Sequence, residues 1–189
     1  MKTSFILTIF LLVFFIQLKA QKIERRDAAE ALNFIDNLPN PLKPAANNLV
    51  AYLQKIKANS KAVNDYIVPN NQIDSLKKYY NILIKSYAKA INEATQNKTI
   101  DKFQGLKSNF LKLLTAGQKP WVTVIPVYIK MFTKGKSKMS ISEQDIISKA
   151  SSILMNGATT ALEYAKVVAI QEDEIEKKYH LELVGDLYK

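Results

Sequence analysis

The sequence predicts an all-α protein: a single-domain up-and-down bundle of five to six helices that follows an N-terminal signal peptide. Three observations support this fold class. Apolar residues recur at steps of three and four along most of the chain, as on one face of an α-helix. The one β-branched stretch, residues 121–132, has no partner strand elsewhere, and an unpaired strand is not stable. Stretches such as Pro39-Asn40-Pro41 and Pro69-Asn70-Asn71 end helices and leave short connections.

The first 20 residues have the layout of a secretory signal peptide. Lys2 precedes an apolar run from Phe5 to Ile16, and the small residue Ala20 marks the expected cleavage point. The run has 12 residues, whereas a membrane span needs about 20. The alternative is an uncleaved N-terminal anchor. We therefore expect an exported protein, periplasmic or secreted, in which residues 1–20 are removed and residues 21–189 form the helical domain.

Three helices are predicted at the start of the mature chain. The first runs from Lys22 to Leu38, and the second begins near Pro44 and continues through Val63 and Ile67. The third has the clearest pattern, because its apolar stripe is unbroken. That stripe consists of Ile73, Leu76, Tyr80, Leu83, Tyr87, Ile91 and Ala94.

The fourth helix is expected to be capped by Thr99 and closed by Gly117. Residues 121–132 are then predicted to form two short helical pieces, the second starting at Pro126. A basic turn follows at residues 133–139.

The spacing of Ser140 and Glu143 is that of a capping box, which predicts the start of a long last helix that ends near His180. Small residues recur along this helix and would let a neighbouring helix approach closely. They are Gly157, Ala158, Ala161, Ala165 and Ala169.

The composition excludes several chemistries. The 189 residues include no Cys, one His and five Gly. Disulfides, thiolate nucleophiles and zinc ribbons are therefore absent, and a His-rich metal site is not available. The segment Gly135-Lys136-Ser137 resembles the end of a phosphate-binding loop, but Lys130 stands where that motif requires Gly. We expect no cofactor and no enzymatic activity. Since disulfides are common in secreted eukaryotic domains, the lack of Cys favours a bacterial envelope or exterior.

The formal net charge of +10 falls to +8 when the signal peptide is removed. Residues 99–139 carry a net +7, whereas residues 140–189 carry a net −4. The protein is thus bipolar rather than uniformly basic, and no nucleic-acid-binding module is recognisable.

The basic residues near 130–138 form the main candidate surface, since aromatic residues Tyr128 and Phe132 stand among them. Such a surface could bind anionic lipid headgroups or acidic polysaccharide. The candidate residues are Trp121, Lys130, Lys134, Lys136 and Lys138. The alternative, which we favour, is a buried helix followed by a solvated lysine-rich loop.

Acidic residues near the end of the last helix suggest two further sites. Glu176 and His180 lie four residues apart and could bind a metal with Asp173. Glu172 and Glu176 could act as an acid and base pair, although such pairs face each other across a cleft. A solvated acidic face is the simpler interpretation.

Three functional hypotheses follow. The leading one is a non-enzymatic binding or structural protein of the bacterial envelope or exterior, with an unidentified partner. The second is a membrane-surface-active or lipid-binding protein that acts through residues 120–138. The third is a hydrolase whose acid and base the sequence does not reveal.

Overall fold

The computed structural model describes the backbone of residues 2–59 and 67–181 and the side chains of residues 20–58 and 67–181. Over these residues the chain is helical with short turns and has no β-strand, which confirms the all-α prediction. Its helices are α1 (Lys2–Asn37), α2 (Leu42–Asn59), α3 (Asn70–Gln96), α4 (Gln104–Lys134), α5 (Ile141–Ser148) and α6 (Ala150–Tyr179). Two 3₁₀ turns, Ile100–Lys102 and Lys136–Lys138, lie on either side of α4.

The core consists of two clusters of buried apolar side chains. One joins α2 to the first half of α3, the second half of α4 and the start of α6, and it includes Leu49, Leu76 and Val124. The other joins α1 to the second half of α3, the first half of α4 and the second half of α6, and it includes Phe110 and Val168. Because the halves pair in this order, α4 runs antiparallel to both α3 and α6.

Helix α4 continues through both of its prolines, Pro120 and Pro126. The predictions of a helix end at Gly117 and of two short pieces in 121–132 are therefore wrong. Proline in a helix interior costs about 3 kcal/mol because it removes a hydrogen bond and crowds the preceding turn. Buried residues lie both before and after Pro120 in the helix, among them Leu114 and Val124, and their burial offsets this cost.

Helices α4 and α6 are in close contact where Pro120 lies against Gly157. An added Cβ at Gly157 would overlap the Cγ atom of Pro120. The close approach that the small residues of the last helix predicted is confirmed at this position, and α4 is the helix that approaches.

Two predicted helix boundaries differ from the structure. Thr99 makes no side-chain cap; instead Asn97 Oδ1 accepts hydrogen bonds from the backbone N–H groups of Thr99 and Ile100, at 2.9 and 3.0 Å. Asn and Asp side chains often bond backbone groups two or three residues on in this way. The second helix is described only to Asn59, Val63 lies outside the described residues, and Ile67 is not helical.

The predicted last helix is divided into α5 and α6 at Lys149, whose ψ is 4°. Its beginning is as predicted, because Ser140 and Glu143 form a complete capping box. The sequence gives no sign of this division. Backbone hydrogen bonds continue across it, from Lys149 N–H to the carbonyl of Asp145 and from Ile153 N–H to the carbonyl of Lys149. By contrast Gly135, with φ of 82°, ends α4 in a conformation that favours glycine.

We expect Gly157→Ala to destabilise the protein by about 1–3 kcal/mol, as overpacking does, although alanine is the better helix former by about 1 kcal/mol. The free energy of unfolding in urea measures this change. Gly105→Ala is the matched control, because its Cβ would meet only the end of the flexible Gln171 side chain, at 3.0 Å.

The same substitution in a Pro120→Ala background tests the cause. If the added methyl group strikes the proline ring, the cost of Gly157→Ala should fall by most of its value in that background. An equal cost in both backgrounds would contradict this account of the contact.

Candidate binding groove

Helix α6 is largely exposed although it is one of the longest helices of the protein. Of its 30 residues, only Ala150 and Val168 are buried. Apolar residues on its outer side, such as Met155, Leu162 and Ile170, remain exposed. The helix therefore rests on α4 along a narrow stripe and leaves open space on both flanks.

A groove of about 830 Å³ runs along one flank, between α4 and α6. From α4 its lining includes Leu111, Thr115, Ala116 and Pro120. From α6 it includes Ile153, Gly157, Thr160 and Tyr164. Its volume falls within the range of about 300–1,000 Å³ that is usual for small-molecule sites.

Eight of the thirteen residues that line this groove have polar side chains, and two of these already make hydrogen bonds within α4. The hydroxyls of Thr115 and Thr123 donate to backbone carbonyls of their own helix, at 2.8 and 3.0 Å. Lys112 and Lys119 also line the groove, and Lys112 Nζ lies 5.9 Å from the centre of the Tyr164 ring. The groove thus combines a surface that is mostly apolar by area with hydroxyl and amide groups and with two cations, both from α4.

A smaller groove of about 370 Å³ lies on the opposite flank of α6. Tyr87, Trp121 and Leu162 are among its lining residues, and Gly117 admits the Tyr87 ring, since a Cβ there would lie 2.9 Å from the phenol oxygen. Burial raises the pKa of Tyr87, and a hydrogen bond with Trp121 partly opposes this rise. Pro120 borders both grooves.

The structure separates the aromatic residues of the predicted basic surface from its lysines. Trp121 packs against the core beside Pro120, and Tyr128 and Phe132 are buried. Lys130 pairs with Glu143. That ion pair, together with the backbone N–H of Ser140, lowers the pKa of Glu143 to about 2.

The other lysines of the predicted surface follow the core part of α4. Lys134 and Lys138 are exposed and Lys136 is half-buried. On α4, Lys130 lies one turn before Lys134, whereas Trp121 lies about 20 Å before Lys134 along the helix.

The acidic end of α6 is less solvated than the sequence suggests. Glu172 is half-buried, and its pKa is raised to about 7 by burial and by the nearby carboxylates of Asp36 and Glu176. The sequence places Glu176 near Glu172 but does not indicate that α1 brings Asp36 to the same place. Only the packing of α1 on α6 reveals this cluster.

Neither chemistry suggested for this end is assembled. Across the described residues, no group of three His, Asp or Glu side chains could hold a metal ion, so Asp173, Glu176 and His180 do not form a site. Glu172 and Glu176 come from the same helix and do not line either groove. Lys177 instead pairs with Asp173, at 2.6 Å.

Within residues 20–58 and 67–181, no helix is both long and apolar enough to span a membrane. Comparison of the chain with protein-family models, with curated proteins and with solved structures finds no match. The candidate site is therefore defined by its geometry.

Glu172 should make stability depend on pH. Its pKa of about 7 in the folded protein lies above the usual 4.5, so the folded state binds the proton more tightly than the unfolded chain. The resulting stabilisation is complete below about pH 4.5 and is lost as the pH rises through about 7. We expect Glu172→Gln to flatten this dependence and to stabilise the protein by about 1 kcal/mol above pH 7, after allowance for solvent screening of a half-exposed group.

Urea unfolding at about pH 5 and about pH 8 measures the effect, because the two values bracket the titration. Glu174→Gln on the exposed side of α6 is the control and should leave the pH dependence as it is. Equal pH dependence in the Glu172→Gln variant and the original protein would contradict the assignment.

Proposed function

We propose that the chain is an exported, non-enzymatic helical protein of the bacterial envelope or exterior that binds an elongated, largely apolar ligand in the α4–α6 groove. The groove is the observation that carries this proposal. The proposal includes an up-and-down bundle formed by residues 21–189. The antiparallel contacts of α3, α4 and α6 support that arrangement.

The N-terminal part of α1 is compatible with removal of a signal peptide. Side chains 20–24 are exposed, and burial begins at Asp27 and Ala28. Cleavage after Ala20 would thus remove no described core contact. The signal-like pattern of residues 1–20 remains the ground for proposing export.

The lining of the groove favours binding over catalysis. Its ionisable groups are Lys112, Lys119 and Tyr164, and its threonine hydroxyls at 115 and 123 already donate to the backbone. A hydrolase needs an acid and a base that converge on one reacting atom. Among the described residues, neither groove has a carboxylate in its lining, so we do not propose hydrolysis.

The groove also indicates the shape and charge of its ligand. Its lining on α4 extends from Ser108 to Thr123, which is about 22 Å at the 1.5 Å rise of an α-helix. Both lysines of the groove come from α4, while apolar and small residues form most of the remaining lining. An elongated molecule with an apolar body and an acidic group would satisfy both features.

We expect Thr160→Trp to weaken binding of a fluorescent anionic amphiphile, such as anilinonaphthalene sulfonate, by about tenfold or more, which corresponds to about 1.4 kcal/mol. The indole would occupy space that the probe needs. Fluorescence titration measures the change. Thr159→Trp is the matched control, because Thr159 is the next residue, is exposed and does not line the groove.

A second pair of variants tests the contribution of charge. Lys119→Gln should weaken binding of the same probe, whereas Lys85→Gln on the exposed side of α3 should not. Probe binding that both Thr160→Trp and Lys119→Gln leave unchanged would place the site elsewhere and overturn the proposal.

A further inference from the structure

One end of the molecule brings exposed isoleucines and lysines together. Helix α4 ends at Lys134, and a 3₁₀ turn at Lys136–Lys138 leads to α5, which begins at Ile141. Lys130 of α4 pairs with Glu143, so the start of α5 lies beside the last turns of α4. The backbone N–H of Val68 donates to the carbonyl of Phe132 at 2.9 Å, which places residue 67 at the same end.

Two isoleucines are unusually exposed there. Ile141 is 88% exposed, more than any other large apolar residue among those described, and Ile67 is 56% exposed. Neither contributes to the core. We refer to Ile67, Lys134, Lys136, Lys138 and Ile141 together as the basic tip.

The basic tip is positively charged. In the described part of the chain, no acidic side chain pairs with Lys134, Lys136 or Lys138. The acidic groups nearest in sequence are already occupied, because Glu143 pairs with Lys130 and Asp145 with Lys149. Lysines around exposed aliphatic side chains form a surface complementary to anionic headgroups above an apolar layer.

We propose that the basic tip binds the surface of an anionic lipid bilayer, with its lysines at the headgroups and Ile141 and Ile67 at the boundary with the acyl chains. This interaction is independent of the α4–α6 groove. It also changes which residues a membrane contact would use. Tyr128 and Phe132 are buried in the core, so insertion of residues 121–132 would require α4 to leave the bundle.

A simple lysine-rich solvated loop would not account for the isoleucines. The loop explains the lysines, whereas two exposed isoleucines beside them, Ile141 at the start of α5 and Ile67, add an apolar component to the same surface. The depth of contact is small, since only two aliphatic side chains are available, and most of the affinity must come from charge. Binding should therefore be reversible and weaken with salt.

Vesicle co-sedimentation of the full chain tests the charged part of this proposal. We expect more binding to phosphatidylcholine vesicles that contain phosphatidylglycerol than to phosphatidylcholine alone. Since each lysine near an anionic surface contributes a factor of about five, Lys134→Glu/Lys136→Glu/Lys138→Glu should weaken this preference by about 100-fold or more. The matched control is Lys78→Glu/Lys85→Glu/Lys98→Glu, which makes the same change in net charge at exposed positions away from the basic tip.

A fluorophore on a single cysteine tests which residue enters the bilayer, because the chain has no cysteine of its own. An environment-sensitive dye at Ile141→Cys should shift to the blue on anionic vesicles. The same dye at Ile170→Cys, which is also exposed but near the other end of α6, should not shift. A shift at residue 141 but not at residue 170 would distinguish binding through the basic tip from binding through another part of the chain.

Any of three results would overturn the proposal. Equal loss of binding in the two triple variants would show a response to net charge alone. Unshifted dye at residue 141 on vesicles that the chain does bind would show that another surface is in contact, and binding to an acidic polysaccharide but not to vesicles would identify a different partner.

Discussion

The contact between Pro120 and Gly157 determines how α6 is held. Glycine has no side chain, so the Pro120 ring can occupy the space that a Cβ at residue 157 would take, since such a Cβ would lie 1.9 Å from the Cγ atom of Pro120. The cost of a proline inside α4 is thereby offset by packing against α6. Pro120 also borders both grooves, and Gly157 and Ala158 line one each. The contact between Pro120 and Gly157 therefore separates the two grooves, and the shape of each groove depends on it.

This narrow contact explains the unusual surface of α6. Helix α6 packs on α4 along one stripe and meets α1 in its second half, so most of its circumference is exposed. Residues 150–171 carry only two charged side chains, Glu163 and Lys166. Surfaces this poor in charge are more typical of binding faces than of solvated helices. The acidic residues of the helix lie beyond this part, from Glu172 onward, where α1 and the start of α4 pack against it.

The sequence predicted features that depend on local pattern and missed those that depend on tertiary packing. The apolar stripe of α3 and the capping box at Ser140 were predicted because each is complete within one segment. Gly117 and Pro120 look like helix terminators by local rules, but a continuous buried face overrides them. The small residues of α6 indicated a close helix approach without showing which helix it was. The two grooves depend on the packing of α4 against α6, and the carboxylate cluster at Asp36 depends on the packing of α1 against α6.

The distribution of charge along the bundle bears on how its two ends would act near a membrane. Gln171 bonds to Asn109 at 3.1 Å, which places the acidic end of α6 beside the first turns of α4, whereas the basic tip follows its last turn. About 26 residues of α4 separate the two ends, or about 39 Å at 1.5 Å per residue. The Debye length at physiological ionic strength is about 8 Å, so a bilayer in contact with the basic tip would not sense the acidic end. The acidic groups at the far end of α6 therefore do not oppose binding through the tip, and Glu143 and Asp145 beside the tip are paired with Lys130 and Lys149.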